Sequence, residues 1–328
     1  MRPFRYSRAK DAAAAVTAAS ANPHSRFLAG GTNLLDLMKE DVERPTELID
    51  LSRLDLSAIR EVNGGVSIGA LAKNSDTANH PLIRMKYPLL SQAIVAGASA
   101  QLRNMATNGG NLMQRTRCPY FYDTAMPCNK REPGTGCGAR EGLNRMHAIL
   151  GWSEKCVAVY PGDMANALCA LDAVVRVRGA GGRERAIPIG EFHRLPGDTP
   201  ERDNNLQHGE LITAIELPRS PFARNSFYLK VRDRASYAFA MVAVAAALEL
   251  AGGRIRKARV VLGGVAHKPW RSAEAEAGLA GRTPSEESFR RAAEAALKDA
   301  KPLAHNAYKV ELGKRAIVRA LMRASRQA

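Results

Sequence analysis

Four of the chain's five cysteines, Cys118, Cys128, Cys137 and Cys156, fall in one stretch at spacings of nine, eight and eighteen residues. The same stretch carries Pro119, Pro127 and Pro133 and glycines at 134, 136 and 138. Backbone with so many breakers and so little apolar periodicity forms neither a long helix nor a sheet, and it stays unfixed over such a length unless something ties it down. The core must therefore come from the sequence on either side, with the cysteines as the staple. Their spacing matches neither a zinc finger nor the tight C-x2-C-x2-C run of bacterial ferredoxins. From the residues alone, two disulfides, a structural zinc ion, unrelated thiols and a thiolate-bound iron–sulfur cluster all stay open. His147 could in principle replace a thiolate ligand, Tyr120 and Tyr122 are candidates for packing over the site, and Cys169, in an apolar run, reads as a small core residue.

The flanks can supply that core. The chain has 328 residues and 45% hydrophobic content, enough for two or three subdomains, which excludes a disordered chain or a mini-protein scaffold. The longest uncharged apolar run, Ala235 to Leu248, falls short of the ~20 residues a membrane-spanning helix needs, so it reads as a buried element and no membrane insertion is expected. The first ten residues are charged throughout, so no export signal is expected on this chain.

Local patterns order the rest. Residues 11–20 are helix-prone. Arg26-Phe27-Leu28 reads as a strand, and a helical pattern from Leu34 to Glu40 follows it. Glu47–Leu51, Ala173–Arg178 and Leu211–Leu217 read as strands, and Val62–Ile68 as a hairpin turning at Asn63-Gly64-Gly65. Pro88–Ala100 and Asp163–Leu171 have helical patterns. Pro218–Arg224 reads as a linker, followed by an antiparallel hairpin (Ala240–Leu250, Ile255–Val265) and a helical remainder.

Two glycine turns share a composition: Ala29-Gly30-Gly31-Thr32-Asn33 and Thr107-Asn108-Gly109-Gly110-Asn111. Glycines let backbone N–H groups approach an anion closely, and Thr and Asn add donors, so the two turns together could clasp one diphosphate. Neither has G-x-G-x-x-G spacing or a following Gly-Lys-Ser/Thr, so a nucleotide here calls for some other fold.

The run from Arg26 to Leu34, the Thr107–Leu112 turn, Tyr160-Pro-Gly-Asp163 leading into Asp172, and Gly263-Gly-Val-Ala266 occur in one order. In that order the chain resembles the FAD-binding subunits of the xanthine dehydrogenase and carbon monoxide dehydrogenase family, over nearly its whole length. The resemblance implies an α+β fold: a vanillyl-alcohol-oxidase-type FAD-binding domain of two subdomains over residues 1–218, and a C-terminal α+β flavoprotein domain over 225–328. It implies FAD held by Arg26, Phe27, Leu28, Ala29, Gly30, Gly31, Thr32, Asn33 and Leu34 with Thr107, Gly110 and Asn111. Asp163 would bond the adenosine ribose, and Ile215 and Lys230 would lie near the isoalloxazine, Lys230 stabilising negative charge on the reduced ring.

Cys118-Pro-Tyr-Phe, the Pro127–Cys137 loop and Ser153-Glu-Lys-Cys156 are similar to an insertion, here at about 115–157, in the FAD subunits of bacterial periplasmic aldehyde oxidoreductases. That likeness implies a [4Fe–4S] cluster on Cys118, Cys128, Cys137 and Cys156. It also implies an electron-transfer role rather than an acid–base one. A molybdopterin-binding large subunit would oxidise aldehydes to carboxylic acids, a [2Fe–2S] small subunit would relay electrons, and FAD would pass them to an external acceptor. The alternative is a stand-alone flavin oxidase or dehydrogenase of the same fold. The implied compartment is the periplasm, reached by co-export with a signal-bearing partner, with the cytoplasm as the alternative.

Net charge is +16, and residues 252–328 hold 17 Lys+Arg against 7 Asp+Glu. Arg315, Arg319 and Arg323 recur every four residues opposite Val310, Ile317 and Leu321, which makes a basic helix stripe. No nucleic-acid module accompanies it and the nearby aromatics are not interleaved with the bases, so a protein-docking face or a solvated face is expected rather than nucleic-acid binding.

Overall fold

The computed structural model describes residues 1–326, folded around three sheets. The first is parallel: β1 (Arg5–Arg8), β2 (Ser25–Leu28) and β3 (Glu47–Asp50), with β3 central. The helix Ala12–Ala21 crosses between β1 and β2. It is capped by the Asp11 carboxylate, which accepts from the Ala14 amide at 2.7 Å, and it lays Ala15, Val16 and Ala19 on Ile49 and Leu51. The chain leaves the carboxyl end of β2 straight into Ala29-Gly30-Gly31 and then the helix Leu34–Lys39. Strand ends of this kind are where parallel sheets place ligands.

The second sheet is antiparallel, in the order β4 (Ile59–Val62), β5 (Gly65–Gly69), β8 (Leu211–Leu217), β6 (Val174–Arg178), β7 (Glu184–Pro188). Asn63 and Gly64 join β4 to β5 at φ of 51° and 76°, the two left-handed residues that a tight hairpin turn needs. The helices Pro88–Ala96 and Asp163–Ala170 cover this sheet, and every residue of the second is buried. The helical pattern expected to run to Ala100 breaks at Gly97 and Ala98, the latter at φ 49°, and restarts as Ala100–Met105 under a Ser99 cap.

From Pro218 the chain runs without helix or strand to β9 (Ser226–Val231). β10 (Val242–Ala251), β11 (Arg254–Gly263) and β12 (Trp270–Arg271) complete the third sheet. Val242, Val244, Ala246 and Leu248 face the helices Glu286–Leu297 and Tyr308–Ser325, while Ala243, Ala245 and Ala247 face the core of the FAD-type half. Small residues on that second face let the sheet pack flush, so β10 contributes one face to each of two adjacent cores. The apolar run read as one buried element from Ala235 is buried only from Val242. Residues 232–240 form a loop in which Tyr237 and Phe239 are 58% and 45% exposed, because Arg232, Asp233 and Arg234 keep its start in water.

Candidate functional site

A cleft of about 440 Å³ opens at the carboxyl end of β2, between the first sheet, the Thr107 turn and residues 201–212. Arg26, Phe27, Ala29, Gly30, Gly31, Thr32, Asn33, Leu34, Thr107 and Gly110 all line it. The glycines are dictated by space. A Cβ on Gly30 would sit 2.1 Å from the Met105 carbonyl oxygen, and Gly31 turns at φ 70°. The chain thereby runs against residues 105–106 and brings the two turns to one wall. The second turn is the opening of a short helix, Asn108–Leu112, whose Gly110 amide donates to Thr107 Oγ1 at 3.2 Å.

The donors on this wall lack acceptors. Among the described residues the amides of residues 30–34 bond to no protein oxygen. Asn33 Oδ1 accepts from the Arg115 amide at 2.9 Å, which fixes the side chain and leaves Nδ2 buried without a partner. Buried donors in native proteins are nearly always satisfied, so the orphan Asn33 Nδ2 beside a run of free amides marks the seat of an anionic, oxygen-rich ligand. A dinucleotide diphosphate fits that donor set.

Sequence reasoning missed the opposite wall. Arg115 Nη1 meets Glu43 at 2.6 Å and its Nε meets Asp203 at 2.6 Å. Burial pushes the Asp203 carboxyl up, but Arg115 and Lys130 outweigh it and hold the group at about 2. A buried amide network, Asn111 to Asn74 to Asn108 to Thr77 with bonds of 2.7–2.8 Å, braces the Thr107 turn from behind. Asn111 thus serves the turn through Asn74.

Leu28, Asn111, Asp163, Ile215 and Lys230 stand outside the cleft lining. Ile215 is 1% exposed in β8, paired with Ile68 and Val175, while its neighbours Leu211 and Ile212 reach the cleft. Asp163 and Lys230, assigned to opposite ends of the cofactor, are each other's partner: Nζ donates to Oδ2 at 2.7 Å, and Tyr228 OH donates to Oδ1 at 2.7 Å. Both carboxylate oxygens are engaged and the side chain is buried, so in this structure Asp163 is the counter-ion of Lys230.

The cysteine segment makes a second site against the first. Cys118, Cys128, Cys137 and Cys156 line one small pocket with Thr116, Phe121 and Ala139, and all four thiols are free. Side chains replace the missing secondary structure. Asn129 Oδ1 takes the amides of Gly134 and Gly136 at 3.0 and 2.8 Å, closing the Pro127–Cys137 loop, and Arg131 donates to the carbonyls of Tyr120, Phe121 and Asp123. Burial drives the Cys118 thiol up to about 12, and a bond from Cys156 pulls Cys137 down to about 6. Among the described residues no three His, Cys, Asp or Glu are grouped as a single metal ion needs.

His147 lies against the site, its Nε2 3.1 Å from Cys118 Sγ. His267, unmarked by the sequence, puts Nε2 3.2 Å from Cys156 Sγ. Tyr120 lines the pocket, whereas Tyr122 turns away to donate to Asp36 at 2.9 Å. Lys130 is buried on the pocket wall and reaches Asp203 at 2.6 Å, so one carboxylate joins the thiol pocket to the cleft. Behind the pocket, Lys309 is fully buried and donates to the carbonyls of Met146, His147 and Gly264 at 2.8–3.0 Å. Arg315, Arg319 and Arg323 are exposed along the helix Tyr308–Ser325 and make no ion pair among the described residues.

Comparison with known proteins agrees with this geometry. Residues 2–220 match the family model described as the FAD binding domain in molybdopterin dehydrogenase, and residues 227–324 match the CO dehydrogenase flavoprotein C-terminal domain. The chain is 48% identical to the aldehyde oxidoreductase FAD-binding subunit PaoB of Escherichia coli (strain K12), with 100% of both chains covered. It is 29% identical to the glyceraldehyde dehydrogenase medium chain of Sulfolobus acidocaldarius, covering 85% of this chain and 82% of that one. Among solved structures, carbon monoxide dehydrogenase from Hydrogenophaga pseudoflava superposes with a TM-score of 0.78 at 25% identity, covering 100% of this chain and 99% of that one. A cleft lined with unanswered donors, on a fold shared throughout its length, places this chain in the family of FAD-binding subunits of the molybdopterin dehydrogenases.

Proposed function

We propose that this chain is the FAD-binding electron-transfer subunit of a molybdenum-containing aldehyde oxidoreductase and that it also carries a [4Fe–4S] cluster. The observation that carries the reading is the buried, unpartnered Asn33 Nδ2 among the free amides of residues 30–34, a cradle built for a diphosphate. Full-length identity of 48% to an aldehyde oxidoreductase subunit supports the substrate class. When bound, FAD would supply the redox chemistry between partner subunits and an external acceptor. The residues of this chain bind and orient it: the glycine turns hold the diphosphate, and Arg115, Glu43 and Asp203 fix the facing wall.

Four free thiols that line one pocket are the ligand type and number that a [4Fe–4S] cluster takes. In the assembly we propose, a molybdopterin-binding large subunit and a [2Fe–2S] small subunit complete a heterotrimer, with Arg315, Arg319 and Arg323 docking against acidic partner surface. Relatives named as subunits and medium chains favour this over a stand-alone flavin oxidase. The test is co-expression with both partner subunits. The complex should contain one FAD per copy of this chain and four irons per copy beyond those of the [2Fe–2S] subunit, and it should reduce a dye with aldehydes as donors. Aldehyde oxidation by this chain alone would refute the reading.

A further inference from the structure

Two buried imidazoles address the thiol pocket from different halves of the molecule. His147 comes from within the cysteine segment and His267 from the turn after β11, and they are 3% and 7% exposed. Each presents Nε2 to one sulfur, His147 to Cys118 at 3.1 Å and His267 to Cys156 at 3.2 Å. In both rings Nδ1 is buried and has no partner.

This repeated arrangement fixes the tautomer. A sulfur bound to iron has no proton to give, so a contact this close is favourable only if the imidazole donates Nε2–H. Nδ1 is then a bare lone pair. In the His267 ring the other tautomer, or the cation, would bury an N–H with nothing to accept it.

We propose that His147 and His267 are positioning residues that donate Nε2–H to two of the four cluster thiolates and thereby raise the cluster's reduction potential. The inference rests on the [4Fe–4S] reading above. One-electron reduction adds negative charge that spreads onto the thiolate sulfurs. A donor aimed at a sulfur in a buried site stabilises the reduced form more than the oxidised one. Cys128 and Cys137 receive no imidazole, so the added charge is drawn toward Cys118 and Cys156.

The test is a redox titration of the assembled complex, followed by the electron paramagnetic resonance of the reduced [4Fe–4S] cluster. It compares wild type with His147→Phe and His267→Phe, which keep a ring and lose the donor. Each variant should disfavour reduction by about tenfold, which is about 59 mV for one electron. His267→Gln, which keeps an N–H, should recover part of the loss. Pulsed resonance on wild-type complex labelled with 15N-histidine gives a second readout that does not depend on the variants folding. It should show weak couplings from two imidazole nitrogens. Potentials equal to wild type in both Phe variants, or no 15N coupling, would overturn the inference while the cluster reading stands. A strong coupling would overturn it too, by making a histidine a ligand. Wild-type complex without iron at this chain would sink the cluster reading and this inference with it.

Discussion

Asp203 is the residue at which one atom-scale change should be felt in both sites. Its two oxygens meet Lys130 Nζ and Arg115 Nε, each at 2.6 Å, and the three side chains are only 22%, 3% and 18% exposed. Asp203→Asn keeps the shape and removes the charge. A carboxyl held at about 2 instead of 3.8 contributes roughly 2 kcal/mol of stability at neutral pH. Breaking a buried pair from one side costs about 3–5 kcal/mol, because the cations remain. A loss of about 3 kcal/mol, or on the order of 5–10 °C in Tm, follows for a unit of this size. The pH dependence has a definite sign. The folded carboxyl titrates below its unfolded value, so its contribution is complete above about pH 4 and disappears as pH falls toward about 2. Wild type should lose that increment across the window, and the variant should show no such step. Urea unfolding and flavin release on heating measure both effects, with the exposed Asp198→Asn as the control. A D203N protein with the wild-type midpoint and undiminished flavin retention would show that the carboxylate joins the two sites only on paper.

Other outcomes follow from single contacts. Gly30→Ala forces a Cβ to within 2.1 Å of a backbone oxygen and should yield protein that folds but purifies with little FAD, as read from its 450 nm absorbance. Asn33→Ala removes the orphan donor and should weaken FAD binding about tenfold in an equilibrium titration of the stripped protein, one hydrogen bond's worth. Arg315→Glu, Arg319→Glu and Arg323→Glu together should reduce recovery of partner subunits in co-purification while leaving flavin content unchanged; intact assembly would return the stripe to a solvated helix face. Asp163→Asn strands the buried Lys230 ammonium and should lower Tm by several degrees, a result that a ribose-binding role alone would not give.

The flavin cradle was legible because it is local. A strand, two glycines and a helix within fifteen residues dictate a turn, and Thr107 announces its own cap three residues before Gly110. Pairings across long separations were not legible. Lys130 and Asp203 lie 73 residues apart, and His267 reaches Cys156 across 111. No periodicity links such positions. The same distance effect hid the partners of Asp163, since Tyr228 and Lys230 belong to a strand in the other half of the chain. Hydropathy alone also overran the start of β10, since Ala235, Ala238 and Ala240 say little about whether a neighbour covers them.

Lys309 sets an order of events during synthesis. Its ammonium caps the carbonyls of Met146 and His147, which left the ribosome more than 160 residues earlier, and that of Gly264. Until the last helix is made, those oxygens lack the Lys309 ammonium. In the cluster-bearing reading proposed above, iron loading is then a late step on a finished chain, and a ribosome stalled before residue 309 would hold out four cysteines that nothing yet protects from oxygen.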